Sequence, residues 1–508
     1  MSDERHGANI GTVKWSPASE CAPGTECGSV IVPKDYFNPS AGTASIAIAR
    51  FKATKSPRRG TLFVNPGRPG APGTFLASKM VADLLGEDWD LLGFDPRGIG
   101  KTSPQIQCFN SSMDYNFFVA NTVLQQEGLT VPSSSNLSDP AIEALLVDQS
   151  RELLALEKVQ AELCAKNMGD ELRYMGSATV VRDLDLMATI FDGKNAKINY
   201  WGGSYGSLLG TYLVNMFPRR TGFVAIDGAL DPIRSPPHKW GFHWLASAEK
   251  TYRFYLTACS RAGPEACPLA QYTDEPYEAI ESRLESFFDK LALAPLPVPF
   301  GFRPGVLTSG AARCKIISSF QPGLNARIDR LLLHLAQPRQ WSESAVAFSQ
   351  AMAGNEPSTP HYDSAGLNVI CLDAPPARSR SDMPTAEDIA LQFLWTMREM
   401  SPHFGAGLIT PIENGLRVNS LMPDSTRMII QDGPGHCSLV LPTLCTLKLV
   451  RGYFAGTLPE NGTICETSYT FPDPSKPESN FLELNAEDTR LLESARAVGR
   501  LMQDSHRS

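Results

Sequence analysis

The sequence predicts an α/β fold, in which a mostly parallel central sheet is flanked by helices, and three observations support this prediction. Short apolar runs rich in β-branched residues end at Gly or Asp, as is typical of buried strands in a parallel sheet. Helical segments lie between these runs, and such alternation favours an α/β architecture. A long stretch of amphipathic helical segments then interrupts the pattern, which indicates an inserted helical cap.

The strands are predicted from the apolar runs in chain order. They lie at 28–33, 44–51, 60–67, 90–98, 197–203, 222–230 and 426–433. Helices are predicted between them at 140–166 and 207–217, and again in the last part of the chain. Because each run is short and bounded by Gly, Pro or Asp, we expect buried strands joined by tight turns.

The domain organisation follows from the change of pattern near residue 232. Beyond it, helical segments such as "YEAIESRLESFFDKLAL" dominate. We therefore predict an α/β core formed by residues 1–231 and 404–508, with a helical cap at 232–403 inserted between its two parts.

Composition narrows the functional classes. The 508-residue chain is 42% hydrophobic and 20% charged, which is ordinary for a globular protein. Its net charge of −8, without a basic stripe, argues against nucleic-acid binding. No apolar run in the sequence is long enough to predict a membrane span. The oligomeric state is left open by these observations.

The cysteines and sequons do not decide between a cytoplasmic and a secreted protein. Cys21 and Cys27, and likewise Cys259 and Cys267, are spaced closely enough for disulfides, which form in oxidising compartments. Three N-x-S/T sequons favour the same environment, at Asn110, Asn136 and Asn461. The N-terminus lacks the apolar run of a signal peptide, so a cytoplasmic protein is the default expectation and a secreted one the alternative.

A nucleophile motif lies at the end of the fifth predicted strand. Residues 202–206 read Gly-Gly-Ser-Tyr-Gly and match G-x-S-x-G, with an apolar strand before and an amphipathic helix after. Such a turn exposes the hydroxyl of Ser204 as a nucleophile. The N–H of Tyr205, at the start of the helix, is then placed to stabilise an oxyanion. An ordinary Gly-rich turn between strand and helix is the alternative interpretation.

Two further loops complete the predicted site. The loop "FVNPGRPGAPG" at 63–73 follows the third predicted strand and can bring a second backbone N–H, from residues 65–70, towards the same oxyanion. His436 lies on a Gly-rich loop after the last predicted strand, where this architecture places a general base. A tight structural loop and a surface histidine are the respective alternatives. Together the motifs predict covalent acyl transfer by an activated serine.

Cofactor chemistry is not indicated. The stretch at 93–104 ends in Gly-Lys-Thr, but Asp95 stands where a phosphate-binding loop requires Gly, so nucleotide binding is not predicted. No H-E-x-x-H, C-x-x-C or clustered Asp/His pattern points to a catalytic metal. We expect a peptide or small-molecule substrate and no cofactor.

Motifs along most of the chain resemble the α/β-hydrolase superfamily, and within it the tripeptidyl-aminopeptidase-like branch of the proline-iminopeptidase group. In order they are "CGSVIVPKDYFNP", "NPGRPGAPG", "DPRGIGKTSP", "YWGGSYGSLLG", "AIDGALDP" and "DGPGHCSLVLP". The resemblance implies an α/β-hydrolase fold with a helical cap, and a serine hydrolase acting at the N-termini of peptides. Many members of this group are secreted.

Arg68 departs from the family's pattern. The oxyanion loop of relatives usually reads N-P-G-G-P-G, whereas Arg68 stands at the second Gly. Its backbone N–H remains available beside that of Tyr205. An L-residue adopts glycine's φ range only at a cost, however. The Arg68 side chain would either bind a substrate carboxylate or obstruct the hole.

The second departure concerns the acid of the catalytic triad. The stretch "GAGLITPIENG" places Gly407 where relatives carry an Asp. Asp231, Glu413 and Asp432 are candidates to replace it. We favour Asp231, which follows the sixth predicted strand, because some α/β-hydrolases place a relocated acid there.

These residues predict a serine hydrolase. Ser204 attacks a carbonyl, His436 takes its proton, and Asp231 orients the imidazole. Cleavage at peptide N-termini is the first interpretation, and hydrolysis of an ester, thioester or lactone of a small metabolite is the second. A catalytically impaired fold kept for binding is a third, which Gly407 and Arg68 favour and the intact nucleophile and base oppose.

Overall fold

The computed structural model describes the predicted core and part of the cap. The described residues are 10–120, 122–124, 129–132, 135–233, 245, 247–267, 269–298, 305–313, 361–374, 379, 381, 383–403, 411–467 and 484–505. Within them, the alternation of strands and helices expected from the sequence is confirmed. No described helix has the length and apolar character needed to cross a bilayer.

Seven strands form the main sheet. They are β1 (Val13–Trp15), β2 (Glu26–Pro33), β3 (Thr43–Phe51), β4 (Gly60–Asn65), β5 (Trp89–Phe94), β6 (Ile198–Gly203) and β7 (Thr221–Asp227). Their order across the sheet is β1-β2-β3-β5-β4-β6-β7. The pairs β1–β2, β2–β3 and β3–β5 are antiparallel. The pairs β5–β4, β4–β6 and β6–β7 are parallel. Every residue of β4, β5 and β6 is buried, which explains their continuous apolar runs.

Helices cover both faces of this sheet. Those of the first part of the chain are α1 (Lys79–Leu85), α2 (Ser112–Val119), α3 (Pro140–Met168), α4 (Ser177–Asp192) and α5 (Tyr205–Met216). Side chains of α4 and α5 pack with those of β2 to β6 in one apolar cluster. On the opposite face, α1 packs with two helices from the C-terminal part of the chain.

The described part of the predicted cap contains four helices and a β-hairpin. They are α6 (Ala248–Ala266), α7 (Tyr277–Leu293), β8 (Leu296–Val298), β9 (Gly305–Leu307), α8 (His361–Asp373) and α9 (Ala386–Glu399). α6 and α7 share an apolar cluster of their own. α8 instead contributes Val369 to the core cluster of the main sheet. The part of the predicted cap at 314–360 lies outside the described residues.

The C-terminal part adds three helices and a second, small sheet. Its elements are α10 (Ile412–Leu421), β10 (Ile429–Asp432), α11 (Leu444–Phe454), β11 (Thr463–Glu466) and α12 (Ala486–Ser505). α11 and α12 are the helices that pack with α1. β10 pairs with β11 in a parallel two-stranded sheet, and among the described residues it does not join β7. A cavity of about 1040 Å³ lies between β7 and β10.

Four disulfides link the described residues. The two pairs expected from close spacing, Cys21–Cys27 and Cys259–Cys267, are confirmed. Cys108–Cys164 and Cys445–Cys465 span 56 and 20 residues, and their spacing alone did not reveal them. Cys371 and Cys437 are free thiols.

Candidate active site

The turn after β6 holds Ser204 in a strained backbone conformation. Its φ of 52° and ψ of −121° lie where L-residues are rarely found. Small neighbours make the turn possible, since a Cβ on Gly202 would lie 2.5 Å from the carbonyl oxygen of Gly206. α5 begins at the next residue, so the predicted strand, turn and helix are all present. Ser204 thereby lies at the carboxyl end of the parallel strands, where open α/β sheets bind ligands.

The loop after β4 approaches this turn at Gly67. Gly67 has a φ of 96°, and a Cβ there would lie 2.2 Å from the Gly203 carbonyl oxygen and 2.9 Å from the Tyr205 nitrogen. Only glycine permits so close an approach of two backbones. The structure therefore brings the loop backbone to the Tyr205 N–H, which is the arrangement that an oxyanion hole requires.

Arg68 keeps a backbone conformation suited to glycine. Its φ is 35°, which costs roughly 1–3 kcal/mol for a non-glycine residue. The Arg68 carbonyl oxygen accepts a hydrogen bond from the N–H of Ala71 at 2.7 Å, which closes the turn. The family's second glycine is thus replaced by an arginine whose backbone is strained.

His436 lies on the loop that follows β10. The loop turns sharply on both sides of it, because Gly435 has a φ of 123° and Cys437 a φ of 68°. His436 keeps some accessible surface, yet burial of the imidazole lowers its pKa from 6.5 to about 4. The ring is therefore neutral at pH 7, as a general base must be.

Cys437 connects this loop to the nucleophile turn. A Cβ on Gly203 would lie 3.6 Å from the Cys437 sulfur, so the two loops are in contact. Burial raises the pKa of the Cys437 thiol well above its usual range, so the sulfur is not a thiolate at neutral pH. The loops that carry the predicted nucleophile and base are thus brought together.

Asp231 lies next to the guanidinium of Arg417. Its Oδ2 is 3.0 Å from the Nε of Arg417, and its Oδ1 accepts the N–H of Ile233 at 2.9 Å. A carboxylate bonded to an imidazole raises the imidazole's pKa, whereas burial accounts for the lowered pKa of His436. The role of Asp231 as the orienting acid therefore stays a prediction.

The two other candidate acids lie on different elements. Glu413 lies in the first turn of α10, with one carboxylate oxygen buried. Asp432, the last residue of β10, is exposed. Gly407 lies outside the described residues.

Sequence reasoning missed Asp227, the last residue of β7. Its carboxylate accepts hydrogen bonds from the N–H and the hydroxyl of Ser438, on the loop of His436. Its backbone carbonyl oxygen accepts the N–H of Ser204 at 2.8 Å. The sequence did contain a signal for Asp227. It ends an apolar strand in the motif "AIDGALDP", and this strand follows the strand that leads to Ser204.

A second unpredicted network lies beneath Tyr205. The Ser177 hydroxyl is 2.6 Å from the Tyr205 phenol oxygen and donates a hydrogen bond to Asp373, at the end of α8. Since the single Ser177 proton is used there, the phenol must donate to Ser177. Burial raises the pKa of Tyr205 well above its usual range, which keeps that proton in place.

The remaining features hold no second reactive centre in the described chain. Asp95 accepts backbone N–H groups from Gly73, Thr74 and Lys101, so its role is to fix two loops. The cavity between β7 and β10 is lined by Asp227 but by neither Ser204 nor His436. Among the described residues, no group of His, Cys, Asp and Glu is arranged to hold a metal ion.

The parallel strands, the strained serine turn and the late histidine loop are features of the α/β-hydrolase fold. The family described as "alpha/beta hydrolase fold" matches residues 60–264 of the chain. The chain is therefore a hydrolase with the α/β-hydrolase fold, as its sequence motifs predicted.

The chain is similar to proteins named as peptidases and to one named as an esterase. The serine protease Hip1 of Mycobacterium tuberculosis (strain H37Rv) is 28% identical over 423 residues, which cover 78% of this chain and 72% of Hip1. The tripeptidyl aminopeptidase of Streptomyces lividans is 31% identical over 216 residues, 41% of this chain and 36% of that enzyme. Carboxylesterase B of M. tuberculosis (strain CDC 1551) is 31% identical over 248 residues, 48% of this chain and 43% of that protein.

Proposed function

We propose that the protein is a serine peptidase that cleaves peptides near their N-termini through an acyl-enzyme at Ser204. The observation that carries the proposal is the meeting of three backbones at one point. The strained Ser204 turn, the Tyr205 N–H and the loop at Gly67 lie within contact of one another. A nucleophile beside fixed N–H donors is the arrangement that acyl transfer requires.

The mechanism follows from the groups at this point. His436 accepts the hydroxyl proton as Ser204 Oγ bonds to the substrate's carbonyl carbon, and N–H groups of Tyr205 and residues 65–70 stabilise the oxyanion. The C–N bond then breaks, and the imidazolium gives its proton to the leaving amine. Water attacks the resulting ester and passes a proton to His436, after which the acyl product leaves and Ser204 regains its proton.

Two findings support the peptidase assignment and its setting. Relatives named as a serine protease and a tripeptidyl aminopeptidase share sequence with this chain. The four disulfides favour an oxidising compartment, because cytosolic thiols are kept reduced. We therefore expect the enzyme to act outside the reducing cytosol.

Hydrolysis of esters is the second candidate function. Asp231, the predicted acid, is paired with Arg417 in the structure. An activated ester needs less proton donation to its leaving group than an amide does, so it tolerates a weakly oriented imidazole. One similar protein is named as a carboxylesterase.

A substrate panel separates the two functions. We expect the wild-type protein to release p-nitroaniline from tripeptidyl p-nitroanilides with a free N-terminus, and to act poorly on the same peptides with an acetylated N-terminus. Ser204→Ala should lower kcat by roughly 10⁶, as for other serine nucleophiles. Ser40→Ala, an exposed serine in the turn between β2 and β3, is the matched control and should leave kcat unchanged.

The same panel contains the contradicting results. Turnover of p-nitrophenyl esters without turnover of any peptide would replace the peptidase proposal by the esterase one. Equal activity of Ser204→Ala and wild type on both substrate classes would overturn both.

Asp231→Asn tests the predicted acid. If Asp231 orients His436, the substitution should lower kcat by roughly 10⁴, the loss found when a triad acid is removed. Arg417→Gln is the companion variant, because it breaks the observed ion pair and leaves the carboxylate in place. Unaltered kcat in Asp231→Asn would remove Asp231 from the mechanism.

A further inference from the structure

Asp227 contacts both loops of the candidate site. Its backbone carbonyl oxygen accepts the N–H of Ser204 at 2.8 Å. Its side chain holds Ser438, two residues after His436: Oδ1 and Oδ2 lie 2.9 and 3.0 Å from the Ser438 nitrogen, and Oδ2 accepts the Ser438 hydroxyl at 2.8 Å. One residue at the end of β7 therefore joins the nucleophile turn to the histidine loop.

The position of Asp227 is fixed by the main sheet. β6 and β7 pair in parallel with Gly203 opposite Asp227, directly before the nucleophile. The carboxylate thus projects from a rigid element at the edge where the reaction is proposed to occur. A group on such an element sets the position of a loop more accurately than another loop can.

The loop that carries His436 needs contacts from outside the loop, such as those with Asp227. β10, which leads into it, pairs with β11, and in the described chain no ladder of backbone hydrogen bonds joins β10 to β7. Cys437, directly after His436, has a φ of 68°, which is costly for a non-glycine residue, so the loop path is unfavourable without outside contacts. The bonds from Asp227 to Ser438 supply a contact next to the imidazole.

The hydrogen bonds between the Asp227 carboxylate and Ser438 can fix the position of the loop. Burial raises the pKa of Asp227 above its usual value, and the hydrogen bonds from Ser438 to the carboxylate partly offset this rise. Among the described residues, Asp227 has no ion-pair partner. Hydrogen bonds to a buried carboxylate are stronger than neutral ones and have defined directions. The carboxylate therefore holds Ser438 through both of its donors.

We propose that Asp227 is a positioning residue, which holds the His436 loop against Ser204 at the distance that proton transfer requires. The proposal rests on the proposed roles of Ser204 and His436. In it, Asp227 touches neither substrate nor reacting atoms and acts through Ser438. A displacement of the imidazole by about 1 Å costs up to 100-fold in rate.

Three variants test this role. Asp227→Asn keeps the shape but removes the negative charge and places an amide NH₂ donor beside the Ser438 N–H, so the hydrogen bonds from Ser438 are weakened. We expect kcat to fall by roughly 10–100-fold with little change in KM, since the loss affects proton transfer and not binding. Ser438→Ala removes the hydroxyl bond alone and should lower kcat by roughly tenfold. Ser438→Thr restores the hydroxyl and should recover most of the wild-type kcat.

The readouts keep this proposal separate from the proposed function. kcat and KM are measured on the substrate that the wild type turns over best, together with the midpoint of thermal unfolding, with Ser204→Ala as the baseline. If Ser204→Ala were as active as the wild type, the proposed function would be overturned. Loss of activity in Ser204→Ala, with kcat unchanged in Asp227→Asn and in Ser438→Ala, would overturn the positioning role alone. If Asp227→Asn does not fold, the Ser438 pair decides: equal kcat in Ser438→Ala and Ser438→Thr would contradict it.

Discussion

Ser204 and His436 are each held in a state that an isolated peptide would not favour. The backbone of Ser204 has a positive φ, which is maintained by the close packing of Gly202 and Gly67 around it. The imidazole of His436 is kept neutral by burial. Both features cost stability, and both prepare the pair for its proposed reaction, because a base must be unprotonated before it can accept a proton.

The pH dependence of activity follows from the His436 pKa. Because that pKa is about 4, we expect kcat/KM to rise with pH through about 4 and to be nearly level at neutral pH. A pH profile of ester or peptide hydrolysis measures this. An acidic limb with its midpoint near 6.5, the ordinary value for histidine, would contradict it.

Stability should depend on pH through the same residue. The unfolded chain takes up a proton on His436 near pH 6.5, whereas the folded protein does so only near 4. Between these values the unfolded state binds more protons, so the free energy of unfolding falls as the pH is lowered. Urea unfolding of wild type and His436→Gln at several pH values isolates this contribution. The same pH slope in both would show that His436 makes none.

At the scale of elements, α8 contacts the loop at 65–70 and is linked through Ser177 to Tyr205 at the start of α5. A Cβ on Gly366 would lie 2.4 Å from the Pro69 carbonyl oxygen, so α8 and that loop touch through their backbones. Asp373, at the end of the same helix, binds Ser177, which contacts Tyr205. A helix from the predicted cap region thus supports the proposed oxyanion donors from two sides.

A substitution at Gly366 tests that support. Gly366→Ala places a methyl group against the Pro69 carbonyl, so either the helix or the loop must move. We expect kcat to fall by roughly tenfold, because small displacements of oxyanion donors weaken transition-state binding. Gly305→Ala is the matched control, since a Cβ at that cap glycine meets no atom within 4 Å. Equal kcat in the two variants would show that α8 does not position the loop.

The elements that could be predicted are those with strong local patterns. β6, the Ser204 turn and α5 follow from an apolar run, small flanking residues and helical periodicity, and each is in place. Asp227 was missed because its partner, Ser438, lies 211 residues away in sequence. The ion pair of Asp231 with Arg417 was missed for the same reason, since a local pattern does not show which distant charge a carboxylate meets.

At the scale of the whole molecule, two sheets carry one site. The proposed nucleophile, Ser204, follows β6 of the main sheet, while the His436 loop follows β10 in the two-stranded sheet. The Cys445–Cys465 disulfide ties β11 to α11, which packs on the main sheet through the cluster around α1. The geometry of the site therefore depends on contacts between the N-terminal and C-terminal parts of the core.

Removing this disulfide tests that dependence. Closing a loop of 20 residues stabilises the folded state by about 3 kcal/mol in the chain-entropy account. We expect Cys445→Ala/Cys465→Ala to lower both the free energy of unfolding and kcat. Cys21→Ala/Cys27→Ala is the control, because that bridge near the N-terminus should affect stability and leave kcat unchanged. Equal kcat losses in the two double variants would contradict the special role of Cys445–Cys465.

The most direct test of the central claim is to locate the covalent adduct. After reaction with a fluorophosphonate, peptide mapping by mass spectrometry should find the phosphonyl group on Ser204, at one group per chain, and Ser204→Ala should carry none. An adduct on another serine, or an unmodified chain after prolonged reaction, would contradict the claim that Ser204 is the nucleophile.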